Sequence, residues 1–455
     1  MARFFHYFLP LTLVAGLVSA TGYAEENTPP SDPLRLPEAL LPGLQPILAS
    51  ALEASPRVLQ SRLAVAVARA GEDLARAGLN PTLSAGAGVD GRQEIRRDLA
   101  GTQYSFKFSY GLVATLPLWH WDALANRARM GEIQRQLAEQ NLAEARRNLV
   151  LELRAQYAGL VLLGQDMAQA RWAGRRRSQQ LQRDEARAAR GEVPALDLAD
   201  LRLAVQESVL ATERLGLAWN RARGDFAALI GVKDFPAENM PGDIPAVPDW
   251  TAGLRPPEGA APVAGVAALA QAAGVREVAR IGEAVERVRR RPTFDLVAGV
   301  TQDEVNYTAN IAAKFGAEIH YLGVRMNWNI FDGGASQASA GRANAELRQK
   351  SLAYDLAAQA LQRQLADGWQ ELTLAQRELA AREARLVQSA ARLAADRPQL
   401  DAGQISADDW DRRMFEHEQV RLDLLRLRAA QLLRVAEYAL LRARGTQPAA
   451  TLHFP

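Results

Sequence analysis

The side chains able to bind a metal or move a proton are few in this chain, and badly spaced for either task. The five histidines, His6, His120, His320, His417 and His453, are scattered over 455 residues with no metal-ligand spacing. Glu416, His417 and Glu418 adjoin, but consecutive residues of a helix point in different directions, so they read as a solvated helix face. There are no cysteines, which removes disulfides, thiolate nucleophiles and thiolate metal sites together. No glycine-rich loop ends in Lys-Ser or Lys-Thr, so any phosphate-bond energy must come from a partner. Charge is close to balance, 54 basic against 52 acidic residues, which gives no argument for a nucleic-acid partner. The arginine runs at 175–177 and 289–291 read as solvated helix faces. No catalytic residue, cofactor or metal site follows, and the expectation is that the protein is not an enzyme.

Its work must then come from its elements. Residues 82–90 alternate, with Leu83, Ala85, Ala87 and Val89 opposite Thr82, Ser84, Gly86 and Asp90. A stronger run follows, with Tyr104, Phe106, Phe108, Tyr110, Leu112 and Leu116 opposite Ser105, Lys107, Ser109 and Thr115. Period two predicts strands. A second pair lies near 293–331. Phe294, Leu296, Ala298 and Val300 oppose Asp295 and Thr301, and Phe315, Ala317, Ile319 and Tyr321 oppose Lys314, Glu318 and His320. Parity flips at Tyr321-Leu322, and Leu322, Val324, Met326, Trp328 and Ile330 run out of step, which predicts a bulge near Gly323.

After Trp121 the period becomes that of a helix. No proline occurs between 118 and 193, or between 293 and 397. A helix of about 65 residues is about 100 Å long, far longer than globular helices. Gly191 in Arg-Gly-Glu-Val-Pro and Gly403 in Ala-Gly-Gln-Ile-Ser predict left-handed caps and turns into return helices. Pro194 suits a first helical turn and Ser406 an N-cap. Pro398 lies within the last turns before the second tip and predicts a kink.

The chain also says everything twice. Trp119 and Phe331, Tyr157 and Trp369, Asp184 and Asp396, and Gly191 and Gly403 each stand 212 positions apart. The expected organisation is a signal peptide at 1–24, a first repeat at 25–231 with its strand pair at about 82–116, and a proline-rich linker or equatorial region at 232–265. A second repeat follows at 266–445 with its pair at about 293–331, then a tail at 446–455. Arg3, the apolar run Phe4 to Val18 and the small residues of Gly22-Tyr23-Ala24 carry the signal reading. The competing reading, an uncleaved anchor, needs ~20 apolar residues, more than this run has.

An exported chain with aromatic strand faces can be a soluble sandwich or a membrane barrel turned inside out. Four strands cannot close a barrel, and open edges are not tolerated in lipid. In a membrane the barrel must therefore be shared, and three chains would supply twelve strands. On pattern alone, a soluble periplasmic coiled-coil or adaptor protein with two small hairpins stays open.

Ordered pieces of the sequence resemble the TolC-like outer-membrane efflux proteins. Leu52-Glu53-Ala54-Ser55-Pro56-Arg57-Val58 is similar to the family's opening helix, and Asn80-Pro81-Thr82-Leu83 to its entry into the first strand. Leu116-Pro117-Leu118-Trp119 and Trp328-Asn329-Ile330-Phe331-Asp332-Gly333-Gly334 resemble its strand-to-helix junctions, and residues 191–198 and 403–410 its hairpin tips. The first junction departs from that pattern, with Trp119-His120-Trp121-Asp122 and no glycine pair.

The resemblance implies an α+β membrane protein, a homotrimer with a 12-stranded transmembrane β-barrel continuous with a long periplasmic α-helical barrel. It implies an outer-membrane channel of a tripartite efflux or type I secretion system, working with a periplasmic adaptor (membrane fusion) protein and an RND-type or ABC-type inner-membrane pump. Under it, Gly191, Val193, Pro194, Gly403, Ile405 and Ser406 would be adaptor-docking tips, and Asp396 and Asp401 the nearest matches to a periplasmic gate. Tyr104, Phe106, Phe108 and Tyr110 would face lipid, and Lys107, Lys314 and Glu318 would line the lumen.

Overall fold

The computed structural model describes residues 40–41, 43–95, 102–236, 240, 242–249, 254, 267–305 and 315–442. The expected signal peptide, the C-terminal tail, Lys314 and the tips of both strand pairs lie outside the described residues. So do the side chains of Tyr104, Phe106 and Lys107.

The described chain opens with helices α1 (Leu44–Ala54) and α2 (Pro56–Ala77). They are parted at Ser55, where Pro56 takes the first helical position because its missing N–H costs nothing there. Strands β1 (Thr82–Ile95) and β2 (Thr102–Trp119) follow, then the 66-residue helix α3 (Ala123–Ala188) and its return α4 (Ala195–Ile230). The second round is α5 (Ala267–Val288), β3 (Thr293–Val305), β4 (Phe315–Asn327), the 67-residue α6 (Ala335–Asp401) and α7 (Ala407–Arg442). Helices α3 and α6 are each about 100 Å long. No described helix is long and apolar enough to cross a membrane.

The duplication is geometric as well as sequential. Helix α7 is α4 displaced by 212 residues at both ends. Tyr157 packs on Phe226 with ring centroids 6.1 Å apart and planes at 46°, and Trp369 packs on Tyr438 at 6.2 Å and 40°. The same aromatic brace therefore ties each long helix to its return helix. In the first repeat it sits among Leu149, Leu153, Leu160 and Phe235, all less than a tenth exposed. In the proline-rich segment between the repeats, Ile244, Val247 and Leu254 are buried, and the Ile244 carbonyl accepts a 3.4 Å hydrogen bond from Arg428 of α7. These described residues of the segment are packed against the helices.

The four strands form one antiparallel sheet in the order β1-β2-β3-β4. The β3–β4 register runs unbroken from Thr293↔Asn327 to Val305↔Phe315. This corrects the bulge expected near Gly323. The irregularity lies instead between β2 and β3, where Pro117 pairs with Asp295 and Trp119 with Phe294, leaving Leu118 as the extra residue. Proline lacks the ladder N–H, so a break there is physically expected. Pro398 does not end α6, which continues to Asp401; the Pro398 carbonyl accepts the Ala402 N–H at 2.9 Å.

Candidate functional site

Register fixes which side chains share a face, because paired residues point the same way and neighbours alternate. Leu83 pairs with Ala114, Ala114 with Ala298, and Ala298 with Leu322. The rows on either side continue this face, through Ala85, Leu112 and Val300, and through Leu116, Leu296 and Val324. Phe108 and Tyr110 lie on it too, paired with Val89 and Ala87. One apolar face thus runs across all four strands. Leu83, Val89, Phe108, Leu112, Leu322 and Val324 are each 45–75% exposed on it. Among the described residues, no helix packs on the sheet beyond marginal contact.

The opposite face is mostly small and polar, interrupted by Val113, Val297 and Ile319. It carries Thr82, Ser84, Gly86 and Gly88 of β1 and Ser109, Gly111 and Thr115 of β2, and continues through Asp295, Gly299 and Thr301 to Tyr321, Gly323 and Arg325. The Tyr321 ring lies across Gly299, where a Cβ would stand 2.7 Å from the ring and 2.8 Å from the Leu112 carbonyl oxygen.

Unbroken pairing also moves one sequence-predicted residue. Glu318 pairs with Gln302, two residues from the His320↔Val300 pair, so it shares the face of Leu322 and Val324 rather than the polar face expected for it. Its carboxylate lies 3.5 Å from the His320 imidazole, at the end of the apolar run farthest from the helices. The apparent parity flip in the sequence comes from Leu322 onward being apolar on the same face where Glu318 and His320 are polar.

At the junction, chain direction turns from strand to helix in both repeats by the same device. Gly333 and Gly334 have φ of 66° and 89°, and Trp121 and Asp122 take 54° and 60° in the first repeat. Non-glycine residues there are strained, and the neighbourhood holds them. The Trp121 indole N–H donates to the Pro292 carbonyl at 2.7 Å, the Arg291 guanidinium lies 4.6 Å from the Trp121 ring centre, and Trp119 meets Trp121 edge to face at 5.7 Å. His120 bonds Asp295 at 2.7 Å, and Asp295 also accepts Asn327 at 3.3 Å. In the second repeat Asp332 accepts the Ser336 N–H at 2.9 Å and the Ser336 hydroxyl. The Ser336 hydroxyl foremost, helped by backbone N–H groups, holds the Asp332 carboxyl below the usual range. The sequence showed the missing glycines; it did not show His120 and Trp121 reaching β3, because nothing local signals that β2 and β3 are neighbours.

The tips close with matched Schellman turns. Gly191 and Gly403 have φ of 77° and 71°; Glu192 N–H donates to Arg187 at 3.1 Å, and Gln404 N–H to Gln399 at 2.8 Å. Pro194 stands at the N-cap of α4 with extended backbone. Ser406 caps α7, accepting the Asp409 N–H at 3.0 Å and donating to its carboxylate at 2.8 Å. Gly191, Glu192 and Gly403 are exposed, while Val193 and Ile405 are half-buried between them. Arg190, then Arg187, holds the Glu192 carboxyl below its usual range.

The two gate candidates differ. Asp396 is 16% exposed at its side chain and pairs with Arg413 of α7 at 2.6 Å, which raises the Arg413 pKa. Asp401 is 64% exposed and lies 3.6 Å from Arg397, whose guanidinium also covers Trp410 at 5.6 Å. Arg183 reaches Asp408 at 3.3 Å and Arg176 reaches Asp411 at 3.7 Å, tying α3 of one repeat to α7 of the other. Among the described residues, no group of His, Asp and Glu could hold a metal ion.

The chain thus combines a sheet whose apolar face no described helix covers with paired helices of about 100 Å. The model of the outer membrane efflux protein family matches residues 47–232. Among solved structures, the Campylobacter jejuni CmeC outer membrane channel superposes with TM-score 0.75 at 10% identity, covering 98% of this chain and 96% of that one. The outer membrane protein VceC of Vibrio cholerae gives 0.67 at 15%, covering 88% and 95%. The open state of the Neisseria gonorrhoeae MtrE outer membrane channel gives 0.67 at 16%, covering 88% and 89%. No curated protein sequence matches. The fold is that of the outer membrane efflux channels, and the resemblance read from the sequence is borne out.

Proposed function

We propose that the protein is the outer-membrane channel of a tripartite efflux or type I secretion system, a passive conduit from the periplasm across the outer membrane. The observation that carries this reading is the sheet. Among the described residues it has an apolar face that no helix covers, a mostly polar face opposite, and unpaired edges at β1 and β4. In hydrocarbon each orphaned backbone group costs several kcal/mol, so β1 of one copy must pair with β4 of the next. Three copies close twelve strands, and the same symmetry gathers the long helices into a tunnel. Along β2, the eleven steps from Phe108 to Trp119 cover about 36 Å of strand, which a tilt of ~40° projects to ~28 Å, the height of a lipid-facing band.

In this reading the lumen is lined by the polar face. Gly191, Val193, Pro194, Gly403, Ile405 and Ser406 form paired knuckles for a periplasmic adaptor protein, and an RND-type or ABC-type pump supplies the energy. Asp396 and Asp401 near the second tip form the periplasmic constriction, with Asp396 held back by Arg413.

The test is reconstitution of the purified protein into planar bilayers. Discrete ion-conducting steps from a detergent-stable trimer support the channel; a chain recovered as a water-soluble monomer without detergent overturns it. With Arg413→Ala, the freed Asp396 should change single-channel conductance and cation preference; an unchanged trace removes Asp396 from the gate.

A further inference from the structure

The arginine run at 289–291 finds no role in conduction, and its surroundings are unusual. Arg290 and Arg291 stand just before β3, at the helical end of the apolar face. Two indoles grip the backbone of this segment. Trp328 donates its ring N–H to the Arg290 carbonyl at 3.1 Å, and Trp121 donates to the Pro292 carbonyl at 2.7 Å. The backbone is clamped, and the Arg291 guanidinium lies on the Trp121 ring face, 4.6 Å from its centre, with its fork of N–H groups unspent by that contact. Both arginines are exposed, and among the described residues neither has a carboxylate within ion-pair distance. Arg289 is different, since it pairs with Glu286 at 3.3 Å. The acid that Arg290 feels is Asp332, whose carboxylate is already occupied by Ser336.

The apolar face ends in this same place. Trp119 pairs with Phe294, and Phe294 with Met326, as its last row, with Trp119 57% and Trp328 53% exposed. Tryptophan is favoured at a membrane–water boundary because its body is apolar and its N–H polar.

We infer that Arg290 and Arg291, set beside Trp119, Trp121 and Trp328, bind the phosphate of a membrane glycerophospholipid at the periplasmic rim of the barrel. This rests on the barrel reading above, which places the helical end of the sheet at the inner leaflet. Guanidinium matches phosphate oxygens in a fork of two hydrogen bonds, and the charges sit where headgroups must lie if the row of Trp119 and Phe294 marks the edge of the hydrocarbon. The lipid's acyl chains lie along Phe294, Met326 and Val324 above the bound headgroup. Three protomers present six such guanidiniums in a ring, so the bound lipids fix the depth of the channel.

The experiment uses the full-length protein purified in mild detergent, with bound lipid counted by native mass spectrometry. The probes are phosphatidylglycerol, the phosphate-free diacylglycerol and inorganic phosphate. Phosphatidylglycerol should bind, diacylglycerol should not, and millimolar inorganic phosphate should not displace the lipid. Arg290→Ala with Arg291→Ala should weaken binding by about tenfold or more, and the double lysine variant should retain part of it. Should the alanine pair fail to assemble, each single alanine variant and the salt dependence of wild-type binding read the same contact, since raised ionic strength must weaken it.

Undiminished binding in alanine variants that assemble as wild type, equal binding of diacylglycerol, or displacement by inorganic phosphate overturns the assignment and leaves the barrel standing. A wild-type chain that needs no detergent overturns both.

Discussion

At the scale of single residues, the junctions offer a controlled comparison. Asp122 holds a left-handed backbone, and its side chain makes no capping hydrogen bond to α3. Asp122→Gly should therefore stabilise the protein by up to about 1 kcal/mol. Trp121→Gly relieves the same strain but removes an indole–carbonyl bond and a guanidinium–indole contact, together about 1–2 kcal/mol, so it should destabilise. Thermal melts of the two variants in one detergent check the opposite signs. Asp332 gives a pH dependence. Its carboxyl is held below the unfolded value of about 3.9. Its contribution is thus complete above that value and is lost as pH falls through the lower folded one. Wild type should lose more stability between pH 5 and pH 3 than Asp332→Asn; parallel melting curves would contradict the assigned role.

At the scale of elements, much was legible because the pattern obeys backbone periodicity. Alternation marked all four strands, and the proline-free stretches marked α3 and α6. Offset pairs announced the repeat. Phe226 and Tyr438, which complete the aromatic braces, stand at the same 212-residue spacing and could have been found by it. The bulge was misread for a physical reason. Apolar alternation reports burial or lipid contact, and β4 leaves the apolar band partway along its length, so Glu318 and His320 give the impression of a slipped register. The pairing of Asp295 with His120 was not legible, since sequence separation of 175 residues carries no local signal. Sheet geometry makes its own prediction. Gly299→Ala places a methyl group 2.8 Å from the Leu112 carbonyl, a backbone atom unable to yield, while Gly86→Ala meets nothing within 4 Å. The first should cost about 1–3 kcal/mol and lower the yield of assembled protein; the second should be near neutral. Equal yields would show that the Tyr321 and Leu112 contacts do not constrain the wall.

At the scale of the molecule, assembly can be tested without background because the chain has no cysteine. Strands β1 and β4 are the outer strands of the sheet, so their backbones are three spacings or about 14 Å apart within one chain, beyond the reach of a disulfide. Cysteines placed along β1 near Ser84 and along β4 near Gly323 can therefore join only different chains. Oxidation should give covalent dimers and trimers on a denaturing gel and no larger ladder. A ladder without limit would mean open strand pairing, and an unlinked chain would mean that these edges do not meet.

The unequal joints carry a consequence of their own. Gly333 and Gly334 can abandon positive φ cheaply, whereas Trp121 is anchored to Pro292 and Arg291. Each junction leads into one long helix, and the glycine one lacks the indole anchor of the other. If the protein is the channel proposed above and its periplasmic mouth dilates, the bending is expected to concentrate at the glycine joint, so that alternate long helices move rather than all of them in step.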